Sequence, residues 1–304
     1  RVIPIGAITK KSAGEELAEM GDMAEAGAKA FSDDGKPVAG AEMMRHALEY
    51  AKTLCVTIIS HCEEPTLSNG GVMNEGAVST RLGLKGIPNA AEDIMVARDI
   101  ELARLTGGRL HLAHISTEGS VELIRRAKAD GVNVTAETCP HYFTLTDESL
   151  LEYNTNFKVN PPLRTGRDRE AIMMGLADGT IDVIATDHAP HAASEKEVEF
   201  DLAPFGISGL ETVLALSLRL AETGRLSLLQ IIEKLTINPA KALGLEIPVL
   251  KTGADADITI IDMDAVRTVD ARTFYSKGRN TAYAGMELKG WPVATIFRGK
   301  RTII

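Results

Sequence analysis

The sequence predicts an α/β fold: a barrel of parallel strands with helices packed outside, followed by a small antiparallel β segment. Three observations carry that prediction. Apolar runs of strand length alternate with stretches of helical periodicity, the pattern of a parallel sheet covered by helices. Three of those runs, Thr57-Ile58-Ile59-Ser60-His61, Leu110-His111-Leu112-Ala113-His114 and Val183-Ile184-Ala185-Thr186-Asp187-His188, stop at a residue that can bind a metal. In a β/α barrel the carboxyl ends of such strands meet at one mouth, so groups far apart in sequence can surround one ion. After Asn238-Pro239-Ala240 the runs become short and alternating, with turn residues between them, which suits antiparallel strands.

Along the chain, the expected strands are residues 2–8, 28–31, 56–60, 109–114, 132–137 and 181–186. Their length and β-branched content suit buried parallel strands. The expected helices are 13–26, 41–52, 91–106, 119–129, 169–177, 209–223 and 227–235, where apolar residues recur at helical spacing. Six strands are counted, and a closed barrel of this type has eight. The chain opens on a strand-like run with no Met, so two further βα units are expected upstream; an open, doubly wound sheet is the structural alternative. The expected division is a catalytic barrel over 1–245 and the C-terminal part of a small β domain over 246–304, with strands near 256–262 and 293–300.

At 304 residues with 44% hydrophobic content, the chain suits one large α/β domain with a small appendage. No stretch approaches the roughly 18 apolar residues of a membrane span, and Arg1-Val2-Ile3-Pro4-Ile5 does not make a signal peptide. A cytoplasmic location is expected. Cys55, Cys62 and Cys139 form no CxxC pair, so reduced thiols are expected rather than a disulfide framework or zinc ribbon. The net charge of −9 argues against a nucleic-acid partner. No Walker-type or dinucleotide-type glycine pattern follows a strand.

His61 or His114 taken alone is more often a hydrogen-bonded histidine than a ligand. Their joint occurrence at two strand ends, with Asp187 at a third, shifts the balance, because imidazole nitrogen and carboxylate oxygen form the ligand set of hydrolytic zinc sites. Asp187 is the candidate general base and acid: a carboxylate beside a metal-bound water can take its proton and hand it to a leaving nitrogen. In Phe31-Ser32-Asp33-Asp34-Gly35 the Asp-Gly pair is first a turn signal; its place after the second strand suits a carboxylate bridging two ions. Asn160-Pro161-Pro162-Leu163-Arg164 is a stiff loop, which would hold the Asn160 amide toward a polar ligand or serve as a plain connector. Phe205-Gly206-Ile207-Ser208-Gly209 could place main-chain groups against a ring-shaped substrate or simply open a helix. His46 falls in a helix. His111 is expected to point opposite to His114 if the strand alternates, and His141 is left open as a support for the site.

Phe31-Ser32-Asp33-Asp34-Gly35, Ser60-His61-Cys62-Glu63-Glu64, His114-Ile115-Ser116-Thr117, Asn160-Pro161-Pro162-Leu163-Arg164 and Ala185-Thr186-Asp187-His188-Ala189-Pro190-His191 resemble, in order, the successive motifs of the bacterial class I dihydroorotases of the amidohydrolase superfamily. Gly253-Ala254-Asp255-Ala256-Asp257 is similar to the family as well. The resemblance implies a TIM-like (β/α)8 metallo-dependent hydrolase barrel with a small β-sandwich-type segment. It implies reversible, zinc-dependent hydrolysis of dihydroorotate to N-carbamoyl-L-aspartate in pyrimidine biosynthesis, with two Zn2+ per complete active site. Asp34 would bridge the ions, His61 and His114 would bind the more exposed one, and Asp187 would bind the other and shuttle protons. Asn160 and His191 would contact the substrate, with main-chain contacts from Phe205 and Gly206. Aspartate transcarbamoylase and a second copy of the chain are the partners the resemblance suggests.

One departure is large. The family's first strand carries a His-x-His pair, and no His-x-His exists here. The strand ending at Phe31 then takes the fourth place of the barrel, so the first two βα units are expected to be missing. A weakened, single-metal site and an essentially inactive chain are the consequence. Two alternatives stand beside this: a hydantoinase- or allantoinase-type cyclic amidase, which usually uses a carboxylated lysine where this chain has Asp33-Asp34, and a non-catalytic scaffold for aspartate transcarbamoylase, against which the other ligand positions are all present.

Overall fold

The computed structural model describes residues 2–247 and 249–303. Its strands are β1 (Ile5–Gly6), β2 (Ala30–Phe31), β3 (Thr57–Ser60), β4 (Met73–Asn74), β5 (Gly86–Ile87), β6 (Arg109–Leu112), β7 (Val134–Thr138), β8 (Val183–Ile184), β9 (Ile258–Thr268), β10 (Glu287–Phe297) and β11 (Lys300–Ile303). One parallel sheet runs β1-β2-β3-β6-β7-β8, so all six expected parallel strands are present, each shorter than expected and β7 ending one residue later, at Thr138. The register passes from Ile5 opposite Ala30, through Ala30 opposite Thr57 and Thr57 opposite Arg109, to Glu137 opposite Val183. Among the described residues β1 and β8 are outer strands, and Ile5 on β1 is half exposed.

The two faces of this sheet follow the period-2 alternation of strand side chains. Ile58, Leu110, Leu112, Val134 and Ala136 point to the helices and join a core with Met44, Leu48, Ile100, Ile124 and Leu176. Ala30, Ile59 and Ala113 face the other way with Leu243. On that inner side lies a cavity of about 850 Å³, whose wall includes His111, His114, Glu137 and Asp187.

The helices form where the sequence repeats apolar residues every three or four positions. Helix Ala41–Leu54 buries Met44, Ala47, Leu48 and Ala51, one face of consecutive turns. Helix Asn89–Thr106 stops at Gly107, which takes a left-handed φ of 67°. Helix Glu118–Ala129 starts at Thr117, whose hydroxyl accepts from the Ser120 amide, and Gly166–Asp178 starts at a Thr165/Asp168 capping box.

Several expectations need correction. Residues 13–19 are not helical: only Met20–Glu25 is. Positive φ at Lys11, Ser12 and Gly14 turns the chain back, so that Thr9 bridges Leu17 and the Lys10 amide donates to Glu16 O. The helix expected from 209 begins at Val213, because Ile207 pairs beside His188 and a side chain on Gly209 would meet Thr186 O at 2.8 Å. The β4–β5 pair was not foreseen; with two residues per strand it carries too short a pattern to register.

At the end of the chain β9, β10 and β11 form an antiparallel sheet, with β10 in the middle. It packs on helix Val213–Glu222 so closely that a Cβ on Gly290 would lie 2.4 Å from Leu218. The segment between β9 and β10 returns toward the carboxyl end of the parallel sheet, where Ser276 and Asn280 reach residues 188–191. No helix among the described residues is long and apolar enough to cross a membrane.

Candidate active site

His61 comes directly after β3, and His114 and Asp187 come two and three residues after β6 and β8. His114 (φ 36°) and Asp187 (φ 46°) adopt left-handed backbone, a costly conformation for non-glycine residues that concentrates at functional sites. The kink at His114 breaks the alternation on which His111 was expected to point away. His111 and His114 line the same inner cavity, and the His111 ring bonds Thr135 Oγ1 and Glu137 Oε2 at 2.8 and 3.0 Å.

Three side chains converge at the strand ends. His61 Nδ1 lies 2.9 Å from His114 Nε2, and Asp34 Oδ1 lies 3.1 Å from His114 Nε2 and 3.5 Å from His61 Nδ1. Ligand atoms of Asp34, His61 and His114 all fall within 4.8 Å of one another. Asp33 does something else: buried, it accepts from the Ile8 and Thr9 amides at 2.8 and 3.0 Å and from the Thr9 hydroxyl.

The charges around this cluster are strongly coupled. Burial works to raise the Asp34 carboxyl, but hydrogen bonds from His114 and His61 outweigh it and hold the group well below the usual carboxylate range. Burial opposes a proton on His114, yet Asp34 and the nearby Asp187 charge raise it to about 9; His61 is raised against the same burial by Asp34 and Glu63. Two imidazole nitrogens 2.9 Å apart beside a carboxylate can share a proton or face one cation. A divalent cation satisfies all three, because neutral imidazole and carboxylate are its natural ligands. The residues present therefore fit a metal ion.

Glu63 is a site residue that sequence reasoning passed over. Its Oε2 accepts from His61 Nε2 at 2.9 Å and from Asn160 Nδ2 at 2.6 Å. Despite burial, these bonds and one from Ser68 hold its carboxyl down at about 2. With Nε2 donating to Glu63, His61 turns the Nδ1 lone pair to the cluster, the tautomer control that a carboxylate behind a metal-binding histidine supplies. The only trace in the sequence is a carboxylate two residues past a strand-end histidine.

Asp187 lies outside the three-residue cluster but lines the same small cavity of about 180 Å³ as Asp34, His61, His114, Asn160, Phe205 and Gly206. Burial raises its carboxyl, the Asp34 and Glu137 charges add to that, and the His114 charge works against it. The Asn160 loop is held by the Tyr142 hydroxyl on Pro161 O. His191 stands beside this cavity, its Nε2 2.8 Å from Phe205 O. The Gly206 amide donates to Lys158 O at 2.9 Å, and its φ of 137°, with Ala189 2.7 Å from any added Cβ, admits only glycine. His188 accepts from the Gly209 amide. His141 is buried against Tyr142, and burial followed by the His114 charge lowers it to about 3, keeping it neutral. His46 is exposed on its helix.

A parallel sheet that gathers side chains able to hold a metal at its carboxyl ends suits a metal-dependent hydrolase, and the sequence pattern of the amidohydrolase family matches residues 4–302. The chain is 63% identical to the dihydroorotase of Pelotomaculum thermopropionicum over 300 residues, covering 98% of this chain and 70% of that one. It is 55% identical to the dihydroorotase of Syntrophus aciditrophicus over 299 residues, with the same coverage. Among solved structures, an L-hydantoinase (dihydropyrimidinase) from Arthrobacter aurescens superimposes with a TM-score of 0.84 at 27% identity, covering 94% of this chain and 68% of that one. The chain belongs to the amidohydrolase family and, within it, to the dihydroorotases.

Proposed function

We propose that the chain opens the ring of dihydroorotate to N-carbamoyl-L-aspartate, and closes it in reverse, at the centre formed by Asp34, His61, His114 and Asp187. The observation that carries this reading is the convergence of the Asp34, His61 and His114 ligand atoms in the cavity that Asp187 lines. Asp34, His61, His114 and Asp187 would hold zinc, which would supply polarisation of the ring amide carbonyl and a water acidic enough to attack near neutral pH. Asp187 takes a proton from that water and delivers it to the ring nitrogen as the amide C–N bond breaks; oxygen ends on the carbonyl carbon and hydrogen on nitrogen. Glu63 keeps His61 in the tautomer that faces the metal. Asn160 and His191 contact the substrate, and Phe205 and Gly206 bound its ring. Residues 1–245 form the catalytic part, filling six of the eight places of a (β/α)8 barrel, and residues 246–304 belong to a small β domain.

The deciding experiment is ring opening by the zinc-loaded protein from its full reading frame. Turnover of dihydroorotate supports the reading; turnover of hydantoin or allantoin instead, with metal bound, overturns it. Residues 1–304 by themselves offer one group of three ligand atoms among the described residues, so they are expected to take up one zinc and turn over only weakly. Two tightly bound ions with full turnover in a zinc titration would overturn that stoichiometry.

Zinc uptake also has a pH signature. The His114 proton of the metal-free protein, held to about pH 9 instead of the ordinary 6.5 of an imidazole, must leave before zinc binds. The apparent zinc affinity is therefore expected to climb as pH rises toward about 9 and flatten above it. Chelator competition at a series of pH values checks this, and an affinity already flat above neutral pH contradicts it.

A further inference from the structure

The buried side chain of Asn280 belongs to the C-terminal segment, yet all its partners lie on the two loops that flank the candidate cavity. Its Oδ1 accepts from the His191 amide at 2.8 Å and lies 3.1 Å from the Ser208 hydroxyl; its Nδ2 donates to Ala189 O at 3.1 Å and to Gly206 O at 3.0 Å. Its own carbonyl accepts from the Ser208 amide at 2.7 Å. The neighbour two residues back is equally tight: a Cβ on Gly278 would come within 2.5 Å of Pro190 and 2.7 Å of the His191 nitrogen.

We propose that Asn280 is a positioning residue for substrate binding: its carboxamide locks loop 188–191 to loop 205–208 and thereby sets His191 and the Phe205–Gly206 main chain at the edge of the cavity. The proposal rests on the function proposed above for that cavity. Its physical basis is the donor and acceptor inventory of the side chain. One end must accept from an amide and the other must donate to two carbonyls, which a carboxamide does and neither a carboxylate nor a hydroxyl can reproduce. The carbonyls of Ala189 and Gly206 would otherwise face each other's loop without a shared donor, and buried carbonyls left without partners are costly. Since His191 Nε2 is bonded to Phe205 O, a shift of either loop moves the other. Asn280 touches neither the metal cluster nor Asp187, so its effect falls on binding and not on the chemical step.

The test uses the zinc-loaded protein from its full reading frame and the isosteric variant Asn280→Asp, which keeps the acceptor and loses the donor. KM for dihydroorotate is expected to rise about tenfold, with kcat within about twofold, the pattern of lost ground-state binding. Amide exchange at residues 188–191 and 205–208 is expected to quicken while the strands keep their protection. A merely structural role would instead lower the active fraction and the melting temperature with KM unchanged, and that result overturns the proposal. Should Asn280→Asp fail to fold, Ser208→Ala, which removes one contact to Oδ1, is expected to raise KM about twofold; unchanged KM and exchange there would overturn it too. If the unaltered protein does not open dihydroorotate, the proposed function fails on its own, and exchange in Asn280→Asp still decides whether the carboxamide holds the loops.

Discussion

Asp187→Ala is expected to slow ring opening of dihydroorotate by about 10² to 10⁴-fold, the usual contribution of a positioned proton-transfer group, while zinc remains at the Asp34, His61 and His114 cluster. The reasons are geometric and electrostatic. Asp187 lies outside the three-residue cluster but lines the same small cavity, and burial raises its carboxyl above the ordinary aspartate value. Asp187 lies three residues past the end of β8, outside the strand pairing of the sheet. Steady-state kinetics with metal analysis of the same preparation checks the result. Turnover within twofold of the unaltered protein would remove Asp187 from the chemistry.

The adjacent carboxylates Asp33 and Asp34 are expected to respond to substitution in opposite ways. Asp33→Ala strips the Ile8 and Thr9 amides and the Thr9 hydroxyl of a buried acceptor, which should destabilise the fold by about 3 kcal/mol or more. These bonds tie the β1 end to the β2 end, and β1 has few other neighbours, so the loss should be seen first as fraying of residues near the start of the chain. The Asp34 side chain is half exposed and, among the described residues, pairs with the two histidines, so Asp34→Ala should leave the denaturation midpoint nearly unchanged and abolish tight zinc binding. Urea denaturation and zinc titration of both variants check the pair. Equal loss of stability in both would mean that Asp34 is part of the structural network as well.

Much of this was legible in the chain. The six parallel strands and most of the long helices are local matters of periodicity and capping, and Thr165 with Asp168 or Thr117 with Ser120 announce helix starts within four residues. The helix expected over 13–26 failed for a local reason too, since Gly14 and the residues before it turn the chain back. His111 was misplaced because strict alternation ignores the left-handed turn at His114.

The sequence by itself determined the parallel α/β class, the stopping of three strands at His61, His114 and Asp187, and the likeness of the motif set to dihydroorotases. These depend on residue type and spacing, which short-range sterics and burial translate directly into strands, helices and their ends. Only the tertiary structure decided that Asp33 accepts from the Ile8 and Thr9 amides, that Glu63 spans His61 and Asn160 across 97 residues, and that Asn280 clamps loops 74 and 89 positions away. Those choices depend on where loops pass one another in space, and hydrogen bonds between them are specified by distances of a few ångströms that no local pattern encodes.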